Sequence, residues 1–247
     1  MPEPLAPSEG WGVLHLFYRL GPGAEREAAI SAVKSARVDG YQVVTVALLG
    51  HKADLCVMAA GPDLWRLRDL QGALVGAGLE LVWSYVSLTE VSEYAAGLSP
   101  ARKLPRLEPS LPPVEGMRAW CFYPMSKRRG EGHNWYALGY SEREALMQGH
   151  GAVGRGFSGR VAQLITGSAG LDDWEWGVTL FAVHPDDLKD VVYTMRFDEA
   201  SSRYAEFGPF YTGMVAELGS ILGDVADVGS ILGDVPDVGS ILGDPPA

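Results

Sequence analysis

Hydrophobic and polar positions follow two successive series of elements along the chain. Runs of apolar and β-branched residues indicate strands, and apolar positions three or four residues apart indicate helices. In the first half they predict a strand, a helix, two strands, a helix and a closing strand. These elements are Gly12–Leu20, Ala24–Val38, Tyr41–Leu49, Leu55–Ala60, Pro62–Val75 and Leu79–Leu88. The order β-α-β-β-α-β is that of a ferredoxin-like module.

The second half repeats this order of elements. A capping box at Ser141–Glu144 predicts the start of its first helix, and its first strand is expected to end at Tyr123, where a loop begins. The predicted elements are Met117–Tyr123, Ser141–Val153, Arg160–Thr166, Glu175–Val183, Pro185–Phe197 and Glu206–Gly213. A sheet with helices on one face needs a partner for the other face. We therefore predict an α+β fold of two ferredoxin-like modules packed sheet to sheet, a dimeric α+β barrel.

The same pattern divides the chain into four segments. Residues 1–98 form the N-terminal module, 99–116 a proline-rich linker, and 117–215 the C-terminal module. Residues 216–247 form an acidic tail with a decapeptide repeat, in which GSILGD occurs three times at intervals of ten residues. The tail is either a mobile acidic segment or a docking segment for a partner, and the repeat alone does not decide between them.

Composition and charge exclude several classes of protein. Of the 247 residues, 47% are hydrophobic and 21% charged, as in ordinary globular proteins. A net charge of −11 argues against nucleic-acid binding, and no window approaches the roughly 20 apolar residues of a membrane span. The start MPEPLAPSEG lacks the features of a signal peptide. Cys56 and Cys121 are too few for a disulfide framework, so we expect a cytoplasmic protein.

One of the five histidines is a candidate ligand. His150 shares a predicted helix face with Leu146 and Met147. Helical position alone favours a core histidine bonded to a backbone carbonyl over an axial metal ligand. No second ligand follows at a zinc or non-haem iron spacing, whereas a haem needs only one protein ligand. The other histidines are predicted at surface or turn positions: His15, His51, His133 and His184.

A second candidate group is the stretch from Tyr123 to Arg129, YPMSKRR. A tyrosine can donate a proton or lose one electron, and neighbouring Lys127 and arginines suit carboxylates or phosphates. For three consecutive charges a solvated basic turn is usually the better explanation. Arg196 is a further cation near a helix end, where it also suits the helix dipole. Glycine-rich nucleotide loops and the Gly-x-Ser-x-Gly elbow are absent from the sequence.

These residues lie in stretches that resemble a known family. The resemblance is dense over 117–213, weaker over the first half, where GHKADL is the best match, and does not cover the tail. The stretches are CFYPMSKRR, NWY, HGAVGR, TGSAGLDDWEWGVTLF and YTMRFDEASSRYAEFGPFYTG. They resemble the chlorite dismutase-like superfamily and, more closely, its coproheme decarboxylase branch of the YPMSKRR type.

The resemblance implies a homopentamer of double ferredoxin-like chains, with haem bound by the C-terminal module. It implies that His150 is the proximal iron ligand and that Tyr123 is the redox tyrosine beside a reactive propionate. Lys127 would lie near the second reactive propionate, and Arg196 would help to bind propionates. Gln163 would occupy the distal position, where chlorite-dismutating relatives have an arginine. A neutral amide supplies no charge for an oxyanion, which argues against chlorite as the substrate.

The expected activity is peroxide-dependent oxidative decarboxylation. The substrate would be iron-coproporphyrin III, two of whose propionates become vinyl groups to give haem b. The resemblance implies hydrogen peroxide as the co-substrate, and an upstream coproporphyrin ferrochelatase is an expected partner. Two alternatives stay open at this point. One is a chlorite dismutase or haem peroxidase on the same scaffold, and the other is a haem-binding carrier without catalytic activity.

Overall fold

The computed structural model describes residues 2–95 and 97–223, and its first half is an antiparallel sheet with two helices on one face. The strand order is β2-β3-β1-β4, as expected for a ferredoxin-like module. The elements are β1 (Gly12–Arg19), α1 (Arg26–Val38), β2 (Gln42–Leu49), β3 (Leu55–Gly61), α2 (Leu64–Gly76) and β4 (Glu80–Thr89). They match the predicted series to within about two residues at each end.

Helix α2 shows why these residues form such elements. Leu67, Leu70 and Leu74 are buried on one face because residues three and four apart lie on the same side of a helix. At its start the Asp63 carboxylate accepts a hydrogen bond from the Trp65 N–H, a standard N-cap. The helix therefore covers the sheet with an apolar stripe.

The second half forms another module with strand order β8-β9-β5-β11. Its main elements are β5 (Ala119–Lys127), α4 (Tyr140–Arg155), β8 (Val161–Gly167), β9 (Trp176–Ala182), α5 (Pro185–Met195), α6 (Glu199–Tyr204), β10 (Ala205–Phe207) and β11 (Tyr211–Val215). A short hairpin of β6 (Arg129–Gly130) and β7 (His133–Asn134) follows β5. The sequence pattern did not predict α6.

Three predictions about local structure in this half are wrong. Strand β5 does not end at Tyr123 but continues to Lys127, because β10 pairs with Met125–Lys127. The last predicted strand is divided into β10 and β11, which pair with successive parts of β5. Helix α4 begins at Tyr140 after the N-cap Gly139, so Ser141 lies inside the first turn and is not a cap.

The two sheets join edge to edge into one barrel. Strand β11 pairs with β2 over Thr212–Val215, and β4 pairs with β8 at Leu88 and Thr89. Together with the pairings inside each module, these contacts close a ring of eight strands, with β10 beside β5. The predicted α+β fold of two ferredoxin-like modules with facing sheets is confirmed.

The barrel interior contains a histidine that the sequence analysis placed at the surface. His15 is fully buried and stacks on Phe122 with the ring centroids 4.1 Å apart. Its Nε2 is hydrogen-bonded to Thr179 Oγ1 at 2.9 Å, whereas the buried Nδ1 has no partner among the described residues. Burial lowers the pKa of His15 to about 3. The surface prediction for His15 is therefore wrong, because inward positions of β1 face the second sheet.

The predicted linker contains a helix. Helix α3 (Pro100–Leu107) begins with a proline in its first turn, where no N–H is needed. The helix contains Pro105, and none of its residues is buried. The pattern of apolar residues in this segment therefore did not predict a helix. The division of the chain into four segments remains a prediction.

The start of the predicted tail lies on the N-terminal module. Residues 218–223 are helical. Leu218, Ile221 and Leu222 are buried in the same cluster as Val33 of α1. The other residues of the tail, 224–247, lie outside the described part of the chain. Among the helices that the structure describes, none is long and apolar enough to cross a membrane.

His15 should make stability depend on pH. Its pKa is lower in the folded than in the unfolded chain, so the unfolded state binds the extra proton as pH falls below the ordinary histidine value. Between about pH 7 and about pH 5 this linkage costs about 2 kcal/mol of unfolding free energy. We expect urea unfolding to show this loss in the parent chain and a smaller loss in His15→Gln. The exposed-turn variant His51→Gln should behave like the parent, and an equal loss in all three would contradict the assignment.

Candidate functional site

The candidate residues gather on the outer, helix-bearing face of the second sheet. Side chains alternate along β5, so Trp120 and Phe122 point into the barrel, whereas Cys121, Tyr123 and Lys127 point outward. Tyr123 and Lys127 are four residues apart and share this face. The continuation of β5 past Tyr123 is what holds Lys127 in the sheet.

Tyr123 is a buried phenol in aromatic surroundings. Its ring stacks on Phe210 with centroids 4.4 Å apart and meets Phe207 edge to face at 5.6 Å. Phe207 is the last residue of β10, and Phe210 lies in the segment that joins β10 to β11. Burial raises the pKa of Tyr123 above its ordinary value. The side chain therefore keeps its proton at neutral pH.

Lys127 is buried, so the solvated-turn interpretation does not hold for this residue. Its Nζ donates to the carbonyl of Ala200 at 3.2 Å and lies 4.2 Å from the centre of the Trp135 ring. Its backbone N–H donates to Glu175 at 2.8 Å, and the same carboxylate pairs with Arg129. Burial lowers the pKa of Lys127 to about 8, although the carboxylates of Asp198 and Glu175 oppose the shift. The site therefore contains a buried cation that can lose its proton near physiological pH.

His150 on α4 is held by a carboxylate. Its Nδ1 lies 3.1 Å from Oδ2 of Asp198 and 3.4 Å from Oγ of Ser201. The side chain is 29% exposed. Burial and nearby Lys127 lower the pKa of His150, and Asp198 opposes them. The ring is therefore oriented through Nδ1, which leaves Nε2 for a ligand.

Asp198 was missed by the sequence analysis. Its Oδ1 accepts the N–H of Ser201 and so caps α6, while its other oxygen binds His150. The available signal was its position: an aspartate directly before the helical run EASSRY is typical of an N-cap. Nothing in the sequence connects it to His150, because the two residues are 48 positions apart.

Gln163 lies on the same outer face, two strands from β5. It pairs with Leu180 of β9, which in turn pairs with Cys121. Gln163 and its face neighbour Ile165 are exposed. Helix α5 packs Leu188 over the β5 and β9 part of the face instead. The outer face of β8 is therefore open to a ligand.

Arg196 lies elsewhere on this face, at the C-cap of α5. With Lys189 it lines a cleft of about 330 Å³ between α5 and strands β5 and β11. The guanidinium lies 4.9 Å from the centre of the Tyr193 ring. The lining is mostly apolar, and Cys121 forms part of its floor. The cleft suits an apolar ligand with acidic groups, but His150, Lys127 and Gln163 do not line it.

The structure thus brings part of the predicted site together. His150, Lys127 and Asp198 influence one another electrostatically, and Tyr123 shares a strand face with Lys127. Gln163 and Arg196 lie at two other places on the same sheet face. Among residues 2–95 and 97–223, no cluster of three histidine, cysteine or acidic side chains could hold a metal ion by itself.

The His150 environment predicts opposite effects of two substitutions. Asp198→Asn removes the charge that favours protonated His150, so the pKa of His150 should fall below its value in the parent chain. Lys127→Met removes a positive neighbour, so the pKa should rise. NMR titration of the His150 ring protons in the three ligand-free chains measures both shifts. Shifts in the same direction would contradict the arrangement.

Curated relatives resemble the chain over most of its length. A protein named as heme-binding from Natronomonas pharaonis is 42% identical over 249 residues, covering 87% of this chain. The chain spans only 40% of the length of that protein. A coproheme decarboxylase from Staphylococcus carnosus is 40% identical, with 84% of this chain and 92% of that protein covered. Another, from Staphylococcus saprophyticus, is 39% identical, with 87% and 95% covered.

Solved structures resemble the fold. A heme-binding protein from Thermus thermophilus has a TM-score of 0.76 and 39% identity, with 90% of this chain and 99% of that chain covered. A chlorite dismutase from Candidatus Nitrospira defluvii has a TM-score of 0.71 at 20% identity, with 89% and 97% covered, and shows the fold alone. The family model described as chlorite dismutase matches residues 24–216. The chain therefore belongs to the chlorite dismutase family.

Proposed function

We propose that this protein binds iron-coproporphyrin III and uses hydrogen peroxide to convert two of its propionates into vinyl groups, giving haem b. The observation that carries the proposal is the His150–Asp198 pair on the module that also presents Tyr123 and Lys127. The two staphylococcal relatives named coproheme decarboxylase, at 39–40% identity over most of their length, support this choice of reaction.

His150 would bind the iron through Nε2. The hydrogen bond to Asp198 fixes the tautomer with the proton on Nδ1 and increases the electron density on the opposite nitrogen. A single histidine suffices because a porphyrin brings four nitrogen ligands of its own. The residues present therefore fit an iron porphyrin.

Cations and apolar surface would bind the rest of the substrate. Arg196 and Lys189 line the cleft beside α5, and Lys127 supplies a buried charge on the His150 side of the sheet face. Guanidinium and ammonium groups bind carboxylates strongly when water is partly excluded. The exposed apolar Ile165 offers contact area to a flat macrocycle.

Tyr123 would transfer hydrogen during the reaction. The bound iron porphyrin supplies an oxidant when it reacts with peroxide. Tyr123 gives up an electron and its proton, and the resulting phenoxyl takes hydrogen from the β-carbon of a propionate. Loss of carbon dioxide and transfer of a second electron to the same peroxide-derived oxidant would leave the vinyl group. Each propionate thus consumes one peroxide and yields one carbon dioxide and two waters. Burial keeps the phenol protonated until the electron leaves.

The neutral Gln163 favours this reaction over chlorite decomposition. An amide in the distal position provides hydrogen bonds but no positive charge to stabilise an oxyanion. The homopentamer and a coproporphyrin ferrochelatase as the source of substrate stay predictions from the resemblance, and the cytoplasmic location stays a prediction from the cysteine content.

Substitution of Tyr123 tests the hydrogen-transfer step. Tyr123→Phe should bind iron-coproporphyrin III as the parent does, but peroxide-driven decarboxylation should fall roughly 100-fold or more, because phenylalanine has no hydrogen to give. Mass spectrometry of the extracted porphyrin measures the products. The matched control is Tyr18→Phe, a buried tyrosine on β1 whose pKa burial also raises.

The results for Tyr123→Phe and for the parent chain together decide between the candidate functions. Normal decarboxylation by this variant would contradict the role of Tyr123. If the parent chain also leaves the porphyrin intact, and the peroxide is shown to be active, the protein would be a haem-binding carrier without catalytic activity. Oxygen release from chlorite by the parent would support a chlorite dismutase.

Substitution of His150 tests iron binding separately from binding of the macrocycle. His150→Ala should weaken binding of iron-coproporphyrin III strongly and should hardly change binding of iron-free coproporphyrin III, which has no metal to ligate. Absorbance titrations measure both affinities, with His133→Ala, a substitution of an exposed residue of the β6–β7 hairpin, as the control. Equal weakening of both ligands would contradict iron ligation by His150.

A further inference from the structure

A groove on the N-terminal module holds the beginning of the C-terminal repeat. Arg26, Ile30, Val33 and Arg37 follow one another at helical spacing, so they form one stripe along α1. Residues 217–223 lie along this stripe. Leu218, Ile221 and Leu222 are 3–7% exposed and belong to the apolar cluster between α1 and the first sheet.

Polar contacts fix the direction of the bound segment. The Arg37 guanidinium pairs with the Glu217 carboxylate at 3.1 Å, near the C-terminal end of α1. Arg26, near the other end, donates to the carbonyl of Gly219 at 2.9 Å, and its guanidinium also lies beside Gly223. The segment therefore runs antiparallel to α1 with a defined set of partners.

The positions that make these contacts recur twice more in the chain. The first repeat, residues 217–224, is ELGSILGD; the second, 227–234, and the third, 237–244, are both DVGSILGD. An acidic residue occupies the position that pairs with Arg37, and an apolar residue the position of Leu218. Glycine, serine, isoleucine, leucine, glycine and aspartate are identical in all three. The second and third repeats therefore carry the same kinds of residue at the positions through which the first repeat contacts the groove.

We propose that the groove along α1 is a binding site for this octapeptide and that the second and third repeats are alternative occupants of the groove in their own chain. The first repeat has the advantage because it follows β11 directly and carries the larger leucine. When it leaves, the second repeat can take its place by looping out ten residues. Loop-closure entropy grows only slowly with length, and the tether keeps the local concentration of the repeat high.

Paired substitutions test this redundancy in the full-length chain. Ile221→Ser with Leu222→Ser disables the first repeat. The same changes at Ile231, Leu232, Ile241 and Leu242 disable the other two. We expect the first-repeat variant to lose much less thermal stability than the variant with all three repeats disabled. Disabling only the second and third repeats should leave the melting temperature unchanged. Equal losses with and without intact later repeats would overturn the proposal.

Protein concentration distinguishes the source of the occupant. The stability retained by the first-repeat variant should not change on tenfold dilution, because the replacement comes from the same chain. If this retained stability disappears on dilution and light scattering shows larger species, the repeat docks between chains. That result would overturn the intrachain assignment. If the serine pairs do not fold, the milder Ile221→Val with Leu222→Ala repeats the comparison.

A peptide in solution tests the groove itself. The synthetic peptide DVGSILGD should raise the melting temperature of the variant with all three repeats disabled, and should do so less when Arg37→Ala is added. A scrambled peptide of the same composition is the control. No difference between the two peptides at millimolar concentration would overturn recognition of the repeat by the groove.

Discussion

The mutual burial of the two sheets' inner faces is the constraint on which the rest of the structure depends. Each sheet has helices on one face only, so the other face must be covered by the other module. Val13, His15 and Phe17 of β1 therefore point toward Trp120 and Phe122 of β5. The edge pairings β11–β2 and β4–β8 close this arrangement, and large buried side chains such as Tyr85 and Trp120 occupy the barrel interior.

This constraint decides where the chemistry can lie. Since inward positions of the second sheet are used for packing, a ligand can only meet side chains on the outward positions, which include Tyr123, Lys127 and Gln163. A shift of one residue in the register of β5 would turn Tyr123 and Lys127 into the barrel. The register at Tyr123 is fixed by its pairing with Val178 of β9, and the register at Lys127 by the pairing of β10 with the end of β5 beyond Pro124.

The order of elements was predictable because each strand and helix carries its own periodicity, and the family was recognisable from the stretch around Tyr123. Features that depend on tertiary contacts could not be predicted from the sequence. The strand after Pro124 exists because Gly208 donates to the Pro124 carbonyl and β10 pairs beyond it. His15 looked like a surface residue because its partners come from the other module. The Asp198–His150 pair joins residues from two helices that are remote in sequence.

We propose that this sheet face carries out two oxidative decarboxylations on one bound porphyrin. The most direct measurement adds peroxide stepwise to the purified protein loaded with iron-coproporphyrin III. After each step the porphyrin is extracted and its mass is determined by mass spectrometry. We expect a porphyrin with one vinyl group after the first equivalents of peroxide and haem b as the end product. Porphyrin that keeps all four propionates, with active peroxide verified, would contradict it.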